Sequence, residues 1–82
     1  LSYDKVKEAR TIVIGAKQTK KAIEQGKAEE VLIAQDADER VTKALTHLCR
    51  NRGIAVVYVD SMKDLGRACG IDVGAATAAV LK

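Results

Sequence analysis

Four short apolar runs divide this chain: Thr11 to Ile14, Val31 to Ala34, Ala55 to Val59 and Ala75 to Leu81. Between them lie stretches with helical periodicity. Val41, Leu45, Leu48 and Cys49 fall at i, i+4, i+7 and i+8, which predicts a helix from about Glu39 to Arg52 with one buried face. Residues 17–26 read as a helix stopped by Gly26, and Gly53 stops the longer one. Ser61 is placed to cap a helix carrying Met62, Leu65, Ala68 and Cys69. Residues 2–9 read as a short amphipathic helix with Ser2 as its cap. Strands alternating with helices of about 10–15 residues specify an α/β fold. The expectation is one domain over residues 1–82, a three-layer α/β/α sandwich with a four-stranded mixed sheet.

The first of these junctions is electrostatically unusual. Gly15-Ala16-Lys17-Gln18-Thr19-Lys20-Lys21 follows the first strand and opens a helix, so lysines crowd its first turns. A helix N-terminus carries partial positive charge and favours acids there. No acid occurs between Glu8 and Glu24, a span that also holds Arg10. Such an arrangement opposes the helix and suits a bound polyanion, because free N–H groups and ammonium groups converge. The net charge of +3 agrees with an anionic partner without requiring one. Tyr3 and Tyr58 are the only aromatic residues of the Phe, Trp and Tyr set, so a platform for stacking single-stranded bases is excluded. A nucleic acid would be read by backbone, base edges or folded shape.

Enzymatic readings find little support. His47, the single histidine, sits within the long helix and reads as a solvated side chain. Neither Cys49 nor Cys69 has a base and an orienting group beside it. The absence of Cys-x-x-Cys spacing argues against a metal site, and no cofactor is expected. The two cysteines read as buried free thiols of a reducing cytoplasm, with a disulfide geometrically open. Asp36 and Asp38 follow a strand, where a magnesium site is conceivable, but Asp38 reads more simply as the N-cap of the next helix. Neither G-x-G-x-x-G nor G-x-x-x-x-G-K is present, so a nucleotide cradle is not indicated. No signal peptide or membrane-spanning run is visible, and because the chain opens on Leu1, a residue or two is expected ahead of it.

A second candidate segment is Gly70-Ile71-Asp72-Val73-Gly74. Its glycines permit unusual backbone angles. Ile71 and Val73 either tuck into the core beneath a tight turn or form an apolar lip over a base or ligand.

Taken together, three segments resemble the ribosomal-protein family that binds kink-turn RNA, and most closely its bacterial YbxF-type branch. They are Ile14 to Thr19 with Lys21, Ala34 to Asp38, and Leu65 to Ile71 running into Val73-Gly74-Ala75-Ala76. The resemblance covers essentially the whole chain. It implies that the glycine-led helix start enters the major groove at a kink and that the later loop covers an extruded base. The RNA-binding set it implies is Gly15, Ala16, Lys17, Gln18, Lys20, Lys21, Asp38, Ile71, Asp72 and Val73. Gly15 allows close approach of the backbone, while Lys17 and Gln18 reach the guanine edges of sheared G·A pairs, with Lys21 beside them. Ile71 and Val73 pack on the flipped base, with Asp72 on RNA polar groups. Many archaeal and eukaryotic members carry Asn-Glu where this chain has Lys17-Gln18, and Glu39 stands where relatives often have Pro. Lys only donates, which suits guanine O6 and N7.

The expected activity is therefore non-catalytic recognition of kink-turns in ribosomal RNA or riboswitches by a cytoplasmic monomer, with the ribosome as a further partner and no membrane. Two alternatives stand beside it: a protein-binding, ribosome-associated scaffold without RNA readout, and a small nucleotide- or phosphate-handling enzyme.

Overall fold

A computed structural model describes residues 11–82. The helix expected over residues 2–9, with its Ser2 cap, lies outside the described residues. In chain order the elements are β1 (Ile12–Ile14), α1 (Ala16–Glu24), β2 (Ala28–Ala34), α2 (Glu39–Arg52), β3 (Ala55–Val59), α3 (Met62–Ala68) and β4 (Thr77–Leu81). The strands form one sheet in the order β1-β4-β2-β3. Strand β4 pairs antiparallel with both β1 and β2, whereas β2 and β3 are parallel. Three strands thus share a direction and β4 runs against them, giving the expected mixed sheet, although only β2 and β3, joined through α2, are parallel neighbours.

Alternation along the strands sends side chains into two separate cores. Leu32, Ala34, Val59, Ala78 and Val80 pack with Leu65 of α3 on one face. Val31, Ile33 and Ala79 pack with Ala22 and Ile23 of α1 and Leu45 and Cys49 of α2 on the other. The sheet is therefore a middle layer between α3 and the α1–α2 pair. Strand β2 lies at its centre, and Val31 to Ala34 are fully buried. A strand covered on both faces reads as a continuous apolar run, which is why this one was legible. Burying each of Ile23, Leu32, Ile33 and Leu65 contributes roughly 1.5–3 kcal/mol, so the contacts of β2 with the helices on its two faces are a main source of stability.

Boundaries shift where charge or tertiary tethering overrides pattern. Strand β2 begins at Ala28, earlier than its apolar run, because Glu29 and Glu30 extend the ladder despite their charge, beside a register shift against β4. Strand β4 begins at Thr77 rather than Ala75. The two alanines before it are tied elsewhere: Ala75 N–H donates to Met62 O, and Ala76 O accepts from Ala34 N, each at 2.9 Å. Helix α1 starts at Ala16 and ends at Glu24, with Gly26 beyond it in the left-handed region. The two cysteines are free and belong to opposite faces of the sheet. The intervening strands close off a disulfide between them, and burial raises the pKa of both thiols.

Helix α3 contains a glycine at an interior position, which costs about 1 kcal/mol relative to alanine in an ordinary helix. Its reason is contact. A Cβ at Gly66 would run into the carbonyl of Val73, so the loop after α3 lies directly on the helix backbone. Replacing Gly66 with Ala is expected to destabilise the fold by about 1–3 kcal/mol despite the better helix propensity. Gly26→Ala, where a Cβ meets nothing but φ is +70°, is the comparison for backbone strain alone. Urea unfolding of both variants checks this; a Gly66→Ala protein as stable as the parent would show that the loop gives way freely.

Candidate nucleic-acid interface

The C-terminal ends of β1, β2 and β3 and the start of β4 meet at one end of the sheet, as their directions require. Gly15 occupies the turn from β1 into α1 at φ 103° and ψ 155°, a conformation that L side chains rarely adopt. Its N–H donates to Thr77 O and its carbonyl accepts from Thr19 N–H, both at 2.9 Å. Strand β4 therefore holds the turn from which α1 departs.

The three described helices begin differently. Asp38 caps α2 by accepting from Arg40 N–H at 2.8 Å. Ser61 caps α3 by accepting from Asp64 N–H at 3.0 Å, and Asp36 accepts from Met62 N–H at 2.8 Å from outside the helix. Helix α1 has no side-chain cap and no acid in its first turn. Thr19, Ala22 and Ile23 of α1 face inward and are buried. Lys17, Gln18, Lys20 and Lys21 are exposed, as the helical period then requires. None of these four side chains forms a hydrogen bond or ion pair within the described residues. The result is an uncapped helix start with Lys17 in its first turn and Lys20 and Lys21 exposed one turn further along.

Lys17 and Lys20 also border an open groove of about 410 Å³ between α1 and α2, with Ala16, Arg40, Val41, Ala44 and Leu45 as its other walls. The periodicity of α2 placed Val41 and Leu45 on an inward face but gave no sign that α1 would leave a gap beside them.

The loop from Gly70 to Gly74 lies at the same end of the sheet, immediately before β4. Gly70 takes φ +79°, and Ile71 N–H donates to Gly66 O at 3.0 Å. The structure divides the two apolar candidates. Ile71 is half-buried and packs against the Leu65 core, so it takes the tucked position. Val73 is 70% exposed, and Asp72 beside it is exposed. Val73 therefore stands exposed with its backbone on Gly66, while Ile71 packs against the Leu65 core.

Asp38 is committed locally. Its carboxylate accepts from the Arg40 guanidinium, at 3.0 Å from Nη2 and 3.3 Å from Nε, as well as from the backbone. The Arg40 side chain, and then its N–H, hold the Asp38 carboxyl below the ordinary carboxylate value. Asp36, the other acid of this loop, serves Met62 and thereby ties the β2–α2 loop to α3. His47 is exposed on α2, away from this end of the sheet. No helix among the described residues is long and apolar enough to cross a membrane.

Residues 2–82 match the model of the ribosomal protein L7Ae/L30e/S12e/Gadd45 family. Over its full length the chain is 54% identical to all of an RNA-binding protein of Halalkalibacterium halodurans. It is likewise 48% identical to all of the RNA-binding protein YbxF of Geobacillus stearothermophilus. Among solved structures, the 15.5kD RNA binding protein of Giardia lamblia superposes with a TM-score of 0.86 at 33% identity, covering 98% of this chain and 68% of that one. A Bacillus halodurans C protein of unknown function gives 0.85 at 28% identity, covering 98% of this chain and 80% of its own.

The Asp38 cap generates a pH signature. A carboxylate whose pKa is lowered on folding stabilises the folded state above its unfolded value, ordinarily 3.8, and that contribution is lost as pH falls through the folded value. Asp38→Asn keeps a capping oxygen but removes the charge. Its stability deficit is expected to be full near neutral pH and to shrink as pH falls below the unfolded value and through the lowered folded one, as read by chemical unfolding across that acid range. A deficit independent of pH would remove the Arg40 pairing as its cause.

Proposed function

We propose that this chain, which belongs to the ribosomal protein L7Ae/L30e/S12e/Gadd45 family, is an RNA-binding protein that recognises and stabilises kink-turns. The observation that carries the reading is the start of α1. It is the one described helix without a side-chain cap, it carries three exposed lysines, and it stands beside an exposed valine at the same end of the sheet. The names of the full-length relatives, RNA-binding proteins of related size, support the same reading.

The chemistry follows from the RNA. A regular A-form major groove is too deep and narrow for side chains to read. A kink beside a bulge opens it, so a helix end can reach the guanine edges of the sheared pairs. Gly15 and Ala16 let the backbone approach closely. Lys17 donates to guanine O6 and N7, and Gln18 offers both a donor and an acceptor to the neighbouring edge. Lys20 and Lys21 meet phosphates, where each neutralised charge releases counterions. Val73, exposed on the loop backed by Gly66, covers the extruded base, while Asp72 accepts from RNA polar groups. Asp38, already bonded to Arg40, acts by fixing the α2 entry beside the RNA. The protein works as a cytoplasmic monomer on ribosomal RNA or a riboswitch, and shape supplies most of the selectivity.

The competing reading is a ribosome-associated scaffold that binds protein. The groove between α1 and α2 is the observation that favours it. Gel-shift titration against a kink-turn, and against the same RNA with its G·A pairs replaced, separates the two. Tight binding to the first alone supports kink-turn recognition, and binding to neither supports the scaffold.

Lys17→Ala is expected to weaken kink-turn binding by about 1–3 kcal/mol, with a much smaller effect on a plain duplex. Equal losses on both RNAs would sink base readout by Lys17. Lys20→Ala is expected to weaken all RNAs alike and to lower the slope of log K against log salt by about one. An unchanged slope would take Lys20 out of the interface.

A further inference from the structure

We propose a second site: a recess between α2 and the edge strand β3 that holds one unpaired nucleotide, with the base on Tyr58 and the phosphate on Arg50. The recess encloses about 250 Å³ and is lined by Thr42, Lys43, Thr46, His47, Arg50 and Tyr58. That is somewhat below the roughly 300 Å³ at which sites for drug-sized ligands begin, so it suits one base rather than a strand or a helix. Strand β3 lies at the far edge of the sheet from β1 and α1, so the recess is distinct from the lysine-headed helix start.

Tyr58 is the only Tyr, Phe or Trp among the described residues, and it is 50% exposed. Its ring is fixed at both ends. The backbone belongs to β3, and the hydroxyl lies 3.2 Å from Thr46 Oγ1. The single hydroxyl proton of Thr46 goes to Thr42 O at 2.7 Å, so Tyr58 is the donor in that pair and its oxygen keeps acceptor capacity. A half-exposed ring already ordered costs little further entropy when a base stacks on it.

The charged lining is arranged for an anion. None of the lining residues is an acid. Lys43 is shared with Glu39 at 3.0 Å, and Arg52, outside the recess, donates to Glu24 O. Arg50 makes no hydrogen bond or ion pair through its side chain among the described residues, and its planar fork matches a phosphate. His47 Nε2 lies 3.2 Å from Asn51 Nδ2, which holds the imidazole at the rim of the recess. An aromatic face beside an unpaired guanidinium is the combination that holds a base together with its phosphate. An acidic peptide would use the cations but leave the ring without a partner.

The test is an amide chemical-shift titration of the ¹⁵N-labelled full chain with AMP, with adenosine, with inorganic phosphate and with an oligoglutamate peptide. AMP is expected to shift Thr46, His47, Arg50 and Tyr58 saturably, with adenosine and phosphate each much weaker at equal concentration. Tyr58→Leu and Arg50→Ala should each weaken AMP by about fivefold or more. Tyr58→Leu should leave binding of a blunt-ended kink-turn unchanged, so this site and the kink-turn reading fail independently. Arg50→Ala, on an exposed helix position, carries the test should Tyr58→Leu lose its dispersed spectrum. Phosphate acting as strongly as AMP, AMP shifts confined to α1 and the 70–74 loop, or a stronger response to oligoglutamate would each overturn the proposal.

Discussion

Thr77 joins the middle of the sheet to the start of α1. Its buried hydroxyl donates to Leu32 O at 2.7 Å, and its carbonyl accepts from Gly15 N–H at 2.9 Å. A hydrogen bond in a buried, low-dielectric setting is strong, and leaving either partner unmade is expensive. The pair of bonds therefore fixes where β1 stops and which way α1 leaves it. The turn into α1, and with it the direction of the lysine-bearing helix, is tied to the sheet through this residue, because α1 has no side-chain cap of its own.

The other two helix starts show what α1 lacks. Asp38, Ser61 and Asp36 spend their oxygens on the first turns of α2 and α3. Those turns have part of their donor set taken up by protein oxygens. The turn of α1 is left open, and its ammonium groups add to the positive end of the helix instead of offsetting it. Such a start is held by the two cores rather than by local preference, since Thr19, Ala22 and Ile23 are anchored underneath it. The loop before β4 follows the same logic. Gly66 removes a side chain from α3 so that the loop backbone can lie on it, and Val73 is lifted into solvent as a result.

Much of this was legible in the residues. Helix α2 was bounded correctly at both ends, because Asp38 and Gly53 are strong punctuation and Val41, Leu45 and Cys49 mark one face. The strands were visible wherever both faces are apolar, and obscured where Glu29 and Glu30 extend β2. The anomaly of α1 was visible as well, since charge and helix polarity are both sequence properties. What pattern could not resolve was contact between distant segments. Ile71 and Val73 look equivalent in the chain, and only the packing of the loop on α3 sends one inward and the other out. Gly66 did carry a signal, as an interior glycine in a helix, but its partner at Val73 is a tertiary fact. Tyr58 was counted as evidence against a stacking platform. A single ring cannot form one, yet the edge of β3 and the hydroxyl of Thr46 hold that ring in place.

The position of β4 has a consequence for how the molecule comes into being. Strand β4, the last of the described strands, inserts between β1 and β2, which have no contact in the sheet without it. During synthesis the earlier segments can form helices and the β2–β3 pair, but β1 stays without a neighbour until the C-terminal residues emerge. Gly15 waits for Thr77 in the same way. The cationic surface is thus assembled only once β4 has emerged, and nascent fragments ending short of it have the lysines without the geometry that aims them.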